Sequence, residues 1–356
     1  MKQKQHRKIA ITKLTDVLVI SSAILLSVSM GFAQSKVGTT GAQFLKIGIG
    51  PRATAMGSAF VAIANDATAL YWNPAGISRM NANEMFIHHN EWLSDISLNY
   101  GSFVHQLPPY GTIGLSLTSL TMGEMKVRTE QLPDGTGEYF DANNISAAVS
   151  YARNLTDRFS IGFNGKYIRE QIWHMSAQTF ALDVGTLYRT NWRGLRIGMC
   201  ISNFGGNMQM TGRDALVQYD ADIGTSGNND QINAHLDTDD WSLPLIFRVG
   251  VAMDVIQNSF MRWTTAIDAV HPNDVDEYLN IGMEAVWNEM IALRAGIQNW
   301  GNGIYEHSDL FSSGNLTLGA GIQYPLTNTL KICVDWAFVD YGRLEKTQRF
   351  SLSIGF

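Results

Sequence analysis

Hydrophobic and polar residues alternate with a period of two along most of the chain from about residue 84 onward. In the last segment, Phe350, Leu352, Ile354 and Phe356 share one face, and serine and glycine occupy the other. Alternation of this kind is typical of β-strands that bury one face. We predict fourteen such strands, at residues 84–90, 97–106, 111–120, 144–153, 159–170, 177–190, 195–203, 243–254, 260–270, 278–287, 291–298, 314–324, 328–339 and 347–356.

The chemistry of the two faces indicates that the apolar face meets lipid. The apolar positions carry large aliphatic and aromatic side chains, whereas the polar positions are rich in glycine and serine and hold single charges. Charged residues make up only 16% of the chain, against about 25% in soluble domains. An even number of strands that are apolar outside and polar inside is the signature of a closed membrane barrel. The predicted fold class is all-β: a single 14-stranded antiparallel transmembrane β-barrel over residues 84–356.

The N-terminus resembles a targeting segment. A basic region is followed by an apolar stretch over residues 17–30 and by Gly31-Phe32-Ala33, a small-x-small cleavage site. We predict a cleaved signal peptide over residues 1–33. The alternative is a membrane anchor helix, which the shortness of the stretch and its interrupting serines disfavour. The chain is therefore expected to be exported.

Residues 34–83 do not alternate like strands and are crowded with alanine, glycine and serine. Within "NDATALYWNPAG" (65–76), Asn73 is a favourable N-cap and Pro74 suits the first position of a helical turn. A barrel of this size encloses more space than its wall side chains fill. We therefore expect a short helical hatch in the lumen, with a motif formed by Asn65, Asp66, Asn73, Pro74, Ala75 and Gly76.

Charged residues on the inward phase of the strands have both signs in similar number. On the lipid face a Lys or Arg would cost about 2–4 kcal/mol near the midplane, so the interior is the expected place of these charges. One interpretation is a network that braces the barrel, and the other is a pathway for a polar ligand. The set comprises Lys166, Asp183, Arg196, Arg248, Asp268, Glu284, Arg294 and Asp335.

The longest predicted connection, at about residues 204–242, is polar and acidic. Its "DADIG" (220–224) hints at calcium, but the glycine stands where a ligand belongs, and a solvated loop is the favoured alternative. Cys200 and Cys333 fall on predicted strands far apart around the ring, so both are expected to be free thiols.

Several functional classes receive no support from the sequence. There is no cluster with metal-ligand spacing and no grouping of nucleophile and base, so we expect no metal, no cofactor and no catalytic residues. The net charge of −6 argues against nucleic acid as a partner.

A family resemblance rests on the segment before the barrel and on several downstream motifs. "GPRATAMGSAFVAIANDATALYWNPAG" (50–76) resembles the N-terminal signature of the FadL superfamily of outer-membrane proteins, and its PorV/PorQ branch most closely. Further matches to that branch are "LDVGTLYRT" (182–190), "GLRIGMCISNFGG" (194–206), "IDAVHPNDVDEYLNIGMEAVW" (267–287), "IALRAGIQ" (291–298) and the terminal "QRFSLSIGF".

The resemblance implies a fourteen-stranded barrel with an N-terminal hatch whose Asn-Pro-Ala motif is matched by Asn73, Pro74 and Ala75. In the PorV branch it implies a role in type IX secretion. The implied partners are outer-membrane lipid, a large translocon barrel, secreted cargo and a surface peptidase. The C-terminal Phe356 resembles the signal read by the outer-membrane assembly machinery, and it also closes the predicted barrel against the first strand.

Three hypotheses of function follow from these observations. The first is a PorV-like, non-enzymatic component of type IX secretion in the outer membrane that receives or shuttles cargo at the cell surface. The second is a FadL-like channel for hydrophobic small molecules. The third is a structural barrel that scaffolds a surface complex.

Overall fold

The computed structural model describes residues 38–192, 194–220, 231–301, 315–327, 329–341 and 346–356. The predicted signal peptide lies outside these residues. The alternating segments form fourteen long strands: β1 Glu84–Glu91, β2 Ser97–Leu107, β3 Gly111–Thr121, β4 Ala142–Asn154, β5 Phe159–Ile172, β6 Met175–Arg189, β7 Arg196–Gly205, β8 Ile246–Gln257, β9 Met261–Pro272, β10 Tyr278–Trp287, β11 Ile291–Trp300, β12 Asn315–Pro325, β13 Lys331–Asp340 and β14 Lys346–Gly355.

The strands close into a ring. Each long strand pairs antiparallel with its sequence neighbours, and β14 pairs with β1 from Glu84↔Gly355 to Asn90↔Arg349. The register shifts at a few bulges, such as the one between Asp254 and Ile256 in β8. The predicted fourteen-stranded antiparallel barrel is confirmed. A sheet that spans a bilayer must close into a ring, because an open edge would leave backbone groups unpaired toward lipid.

Large apolar side chains cover the outside of the barrel. Phe180 is 72% exposed, Val149 64% and Ile322 62%, which is the distribution expected of a wall that faces hydrocarbon. Among the described residues, no helix has the length and apolar character needed to cross a membrane.

The two ends of the barrel differ in the length of their connections. Short turns, such as 108–110, 155–158 and 258–260, join strands at one end, and longer connections, such as 122–141 and 206–245, lie at the other. In barrels of this type the short turns are periplasmic and the long loops extracellular. We name the two ends accordingly.

The described parts of the 206–245 connection contain more regular structure than the solvated loop expected from its composition. Two ladders, Leu216–Tyr219 with Ile232–His235 and Met208–Gln209 with Asp240–Trp241, run through it. Thr211–Gly212 adds a short strand to β6, and a 3-10 turn covers Arg213–Ala215. Met208 and Leu243 are buried because this connection folds over the extracellular mouth. Residues 221–224 of "DADIG" lie outside the described residues.

Residues 40–83, here called the lumenal segment, lie inside the ring. They contain α1 (Pro51–Ala55), α2 (Ala69–Trp72) and 3-10 turns at Gln43–Lys46 and Pro74–Arg79. The segment begins at the extracellular end, where Gly41 N donates to Ser242 O. It leaves at the periplasmic end, where Asn83 exchanges two backbone hydrogen bonds with Phe356.

Inward glycines of the wall let the lumenal segment lie directly on the barrel strands. A Cβ at Gly296 would overlap with Gly57 N, and one at Gly282 would overlap with Met56 O. Further wall glycines where a Cβ would lie within 2.5 Å of the lumenal segment are Gly114, Gly162, Gly185, Gly198 and Gly319. We call these seven residues the glycine belt.

We predict that Gly296→Val prevents the lumenal segment from seating. Overpacking a well-packed interior costs about 1–3 kcal/mol, and here the clash is with backbone, which yields little. The folded barrel should therefore lose its heat-resistant migration on an SDS gel at a lower temperature than the parent.

Gly101→Val is the matched control, because Gly101 points outward and a Cβ there meets nothing within 4 Å. Equal heat resistance of the two variants would contradict the steric role of the belt.

Candidate functional site

The filled lumen is the candidate site, and Asn73 lies at its centre. Its side chain is fully buried and makes three hydrogen bonds. The amide nitrogen Nδ2 donates to Val61 O (2.9 Å) and to Thr186 O of the wall (3.0 Å), and Oδ1 accepts from Ala75 N at 3.2 Å. Asn73 thus caps the turn that starts at Pro74 and joins two parts of the lumenal segment to β6.

Asp268 of β9 fixes a second point of the lumenal segment. Its buried carboxylate accepts hydrogen bonds from Phe60 N at 2.8 Å and Val61 N at 2.9 Å. Three strands further along the wall, Thr317 of β12 accepts from Gly57 N and donates to Ala55 O. These bonds satisfy backbone groups that the irregular turns leave unpaired, which buried backbone requires.

The other motif residues lie nearer the periplasmic end. Asn65 and Asp66 each accept a hydrogen bond from Arg52 Nη1. Asp66 also accepts from Thr68 N at 3.0 Å, at the start of α2. Gly76 is pressed against Ala64 O, so no side chain fits there.

Three of the predicted inner charges join with Arg52 in a chain of ion pairs. The Glu284 carboxylate forms ion pairs with the guanidinium groups of Arg52 (N–O distance 2.9 Å) and Arg294 (2.7 Å). Arg294 also pairs with the Asp335 carboxylate at 2.6 Å. Glu284, Arg294 and Asp335 come from β10, β11 and β13, and Arg52 comes from the lumenal segment. Burial of these charges is tolerable because each has an opposite charge and further hydrogen bonds.

The remaining predicted charges lie in separate groups. Lys166 pairs with Asp183 at 2.6 Å and donates to Asn203 Oδ1. Arg248 donates to Ser202 and packs over the ring of Trp72 at 5.6 Å. Arg196 lies toward the periplasmic end and pairs with Asp254 at 2.6 Å. The structure therefore distributes the predicted set around the wall and does not gather it into one path.

The extracellular mouth is closed by apolar packing and by a buried carboxylate. Phe44 and Leu45 of the lumenal segment pack with Ile168, Met208 and Leu243. In the β9–β10 loop, Asp274 receives Lys46 Nζ at 2.9 Å, and it accepts hydrogen bonds from Thr40 and Gln43 at 2.8 Å. Residues 40–46 are thereby held across the mouth.

The surroundings of Asp274 favour its charged form. Burial acts to raise the pKa of its carboxyl, but hydrogen bonds from Gln43, Lys46 and Thr40 and the charge of Lys46 outweigh it and hold the pKa below the usual range. A depressed pKa stabilises the folded contacts above the unfolded value of about 3.9, and the contribution is lost as pH falls through the folded value.

The periplasmic end, in contrast, holds an open polar cavity of about 660 Å³, here called the vestibule. The ion-pair chain from Asp66 to Asp335 forms part of its lining, and the β10–β11 and β12–β13 turns border it. The lumen is thus closed toward the surface and hollow toward the periplasm.

Several residues of this site had no distinguishing signal in the sequence. Arg52 and Asp274 are single charges in irregular segments, and their partners are more than two hundred residues away in the chain. Arg349 of β14 is fully buried, donates to Gly48 O and lies 5.4 Å from the ring of Trp92. Its inward phase on the last strand was the one signal that could have identified it.

Phe356, Cys200 and Cys333 complete the set of residues considered from the sequence. Phe356 stacks on Phe103 of β2, with ring centroids 6.3 Å apart. Cys200 is buried in β7 and Cys333 half-buried in β13, and both are free thiols. Among the described residues, no group of three or more His, Cys, Asp or Glu side chains is arranged to hold a metal ion.

The closed ring with its apolar exterior defines an outer-membrane β-barrel. The family described as type IX secretion system protein PorV matches residues 31–271. The chain belongs to this family, whose barrels are components of type IX secretion in the outer membrane.

Solved structures show the same fold at low sequence identity. The toluene transporter TbuX of Ralstonia pickettii is 13% identical, with a TM-score of 0.52 over 86% of this chain and 97% of that one. The toluene transporter TodX of Pseudomonas putida is 12% identical, with a TM-score of 0.53 over 86% of this chain and 96% of that one. A comparison with curated proteins returns no match. These likenesses establish the barrel fold and nothing about what passes through it.

We predict that Glu284→Gln strongly destabilises the barrel. The substitution leaves Arg52 and Arg294 without their shared counter-charge in a buried site, and breaking such a pair costs about 3–5 kcal/mol. Thermal unfolding of the purified barrel in detergent measures the effect.

Glu289→Gln is the matched control, because Glu289 is 67% exposed in its pair with Arg262 and such pairs contribute about 0–1 kcal/mol. A Glu284→Gln barrel as stable as this control would argue against bracing and for the pathway interpretation.

We predict that Asp274→Asn frees residues 40–46 at neutral pH, because the amide cannot pair with the Lys46 ammonium. In intact cells, external trypsin should then cleave after Lys46. In the parent, residues 40–46 should become accessible to proteolysis only when the pH falls below about 4. Cleavage by a protease that is active in acid measures this exposure.

Glu277→Gln serves as the control, since Glu277 is exposed and pairs with His271 in the same loop. Resistance of Lys46 in the Asp274→Asn variant would show that apolar packing alone holds the mouth closed.

Proposed function

We propose that this barrel receives cargo proteins of type IX secretion at the cell surface while its own lumen stays closed. Membership of the PorV family is the observation that carries the proposal. The filled lumen and the sealed extracellular mouth support it, because contacts with cargo then fall to the outer loops. In this role the chain is not an enzyme, and its partners are the cargo, a large translocon barrel and a surface peptidase.

The domain organisation follows from the same proposal. Residues 1–33 are a signal peptide that is removed on export, residues 34–83 are the hatch, and residues 84–356 are the barrel. The close fit of the glycine belt and the hydrogen bonds of Asn73 support the hatch as a fixed filling. Phe356 serves the outer-membrane assembly machinery, and its place beside β1 supports this role.

The ladder of Leu216–Tyr219 with Ile232–His235 supports an outer contact surface. Tyr219 and Ile232 face each other across it and are 57% and 42% exposed. Leu236 follows at 59%. These side chains lie on an extracellular connection, beyond the lipid that covers the barrel wall. Exposed apolar clusters in water mark protein contacts, so we assign the partner contact to this ladder.

Deletion of the gene followed by a survey of secreted proteins tests the proposal. Proteins that carry the sorting domain should be lost from the medium and from the surface. Normal delivery of these proteins would refute the secretion role. Reduced uptake of a labelled fatty acid in the same strain would instead support the channel hypothesis.

Tyr219→Ser with Ile232→Ser sharpens the test. We expect this pair to lower delivery of sorting-domain proteins several-fold with normal amounts of folded barrel. Leu132→Ser is the control, since Leu132 is a 52% exposed apolar residue of the β3–β4 connection. Equal delivery of sorting-domain proteins by the double variant and by the control would show that the partner does not bind at this ladder.

A further inference from the structure

The vestibule has the size and chemistry of a polar ligand site. Its volume of about 660 Å³ is within the range of cavities that bind small molecules, about 300–1,000 Å³. Charged side chains of both signs line it: the carboxylates Asp66, Glu84, Asp254, Glu284, Glu289 and Asp335, and the cations Arg52, Arg262, Arg294 and Lys331. A lining of this kind disfavours the hydrophobic molecules that a FadL-like channel would carry.

Most of these charges are already matched within the protein. Arg52, Arg294, Glu284, Asp335 and Asp66 form the ion-pair chain. Asp254 pairs with Arg196, and Glu289 pairs with Arg262.

Glu84 and Lys331 are the exceptions among the lining charges that the structure describes. Neither has an opposite charge within 4 Å, and Glu84 has one long hydrogen bond, from Ala67 N at 3.4 Å. Two titratable side chains of the vestibule thus have no ion-pair partner among the described residues and can meet a ligand.

The barrel register sets the spacing of these two charges. Gly355 of β14 is opposite Glu84 of β1 on one side and opposite Lys331 of β13 on the other. Neighbouring strands are about 4.8 Å apart, so two strand spacings separate the backbones of Glu84 and Lys331 by roughly 10 Å. Gly355 has no side chain and leaves the space between the two charges open to the vestibule.

We propose that the vestibule binds short zwitterionic peptides from the periplasm. Glu84 receives the amino terminus of the peptide, and Lys331 receives its carboxylate. An extended residue spans about 3.3–3.6 Å, so a peptide of about three residues matches the roughly 10 Å between the backbones of Glu84 and Lys331. This site lies at the opposite end from the proposed cargo contact and does not depend on the secretion role.

Equilibrium dialysis of labelled triglycine against the purified barrel in detergent tests the proposal. We expect saturable binding that weakens about tenfold or more in Glu84→Gln and in Lys331→Gln, because each variant removes a charge-assisted hydrogen bond. Lys126→Gln, on the extracellular β3–β4 connection, is the matched control and should bind as the parent does.

End-capped peptides separate the two contacts. Triglycinamide lacks the carboxylate, so its binding should depend on Glu84 alone. N-acetyl-triglycine lacks the amine, so its binding should depend on Lys331 alone. Heat-resistant migration of each variant confirms folding. If Glu84→Gln fails to fold, binding of N-acetyl-triglycine to Lys331→Gln still tests the proposal. Absence of saturable binding, or affinities that neither substitution changes, would overturn the proposal.

Discussion

The structure depends on the need to fill the ring that fourteen strands enclose. The bilayer forces the sheet to close, because an open edge in hydrocarbon would leave backbone groups unpaired. Closure at this size leaves an interior that wall side chains alone cannot fill. The lumenal segment occupies that space, and the glycine belt removes the side chains that would keep it away from the wall. The positions of the inward glycines therefore show where protein rather than water lies against the wall.

Irregular backbone inside a membrane barrel must have its polar groups satisfied by the wall. Asp268 and Thr317 of the wall do this at two points of the lumenal segment. Asn73 of the lumenal segment completes the contact by donating to Val61 O and to the wall carbonyl of Thr186. Charge is handled in the same way: Arg52 of the lumenal segment meets Glu284 of the wall, so neither is buried alone. The ends differ because Phe44 and Leu45 close the outer mouth by apolar packing, whereas polar side chains line an open cavity at the inner end.

Sequence reasoning predicted the barrel well because strand alternation is a local property. The period of two places Phe350 and Leu352 outside and Arg349 and Ser351 inside, whatever the rest of the chain does. It could not predict which inward charges meet. Arg196 and Glu284 look alike in the pattern, yet one pairs within the wall and the other pairs with the lumenal segment. Which charges pair depends on the path of residues 40–83. This segment has no hydrophobic periodicity from which its path could be predicted.

The lumenal segment also has a consequence for the order of folding. It comes before every strand in the chain, yet Phe60 bonds to a residue 208 positions away, and the wall partner of Gly48 lies 301 positions away. Contacts of such sequence separation form late, because the entropy of closing long loops opposes them until the intervening chain is in place. The lumenal segment is therefore synthesised before every strand, yet its contacts with the wall can form only after strands as late as β9 and β14 have been made.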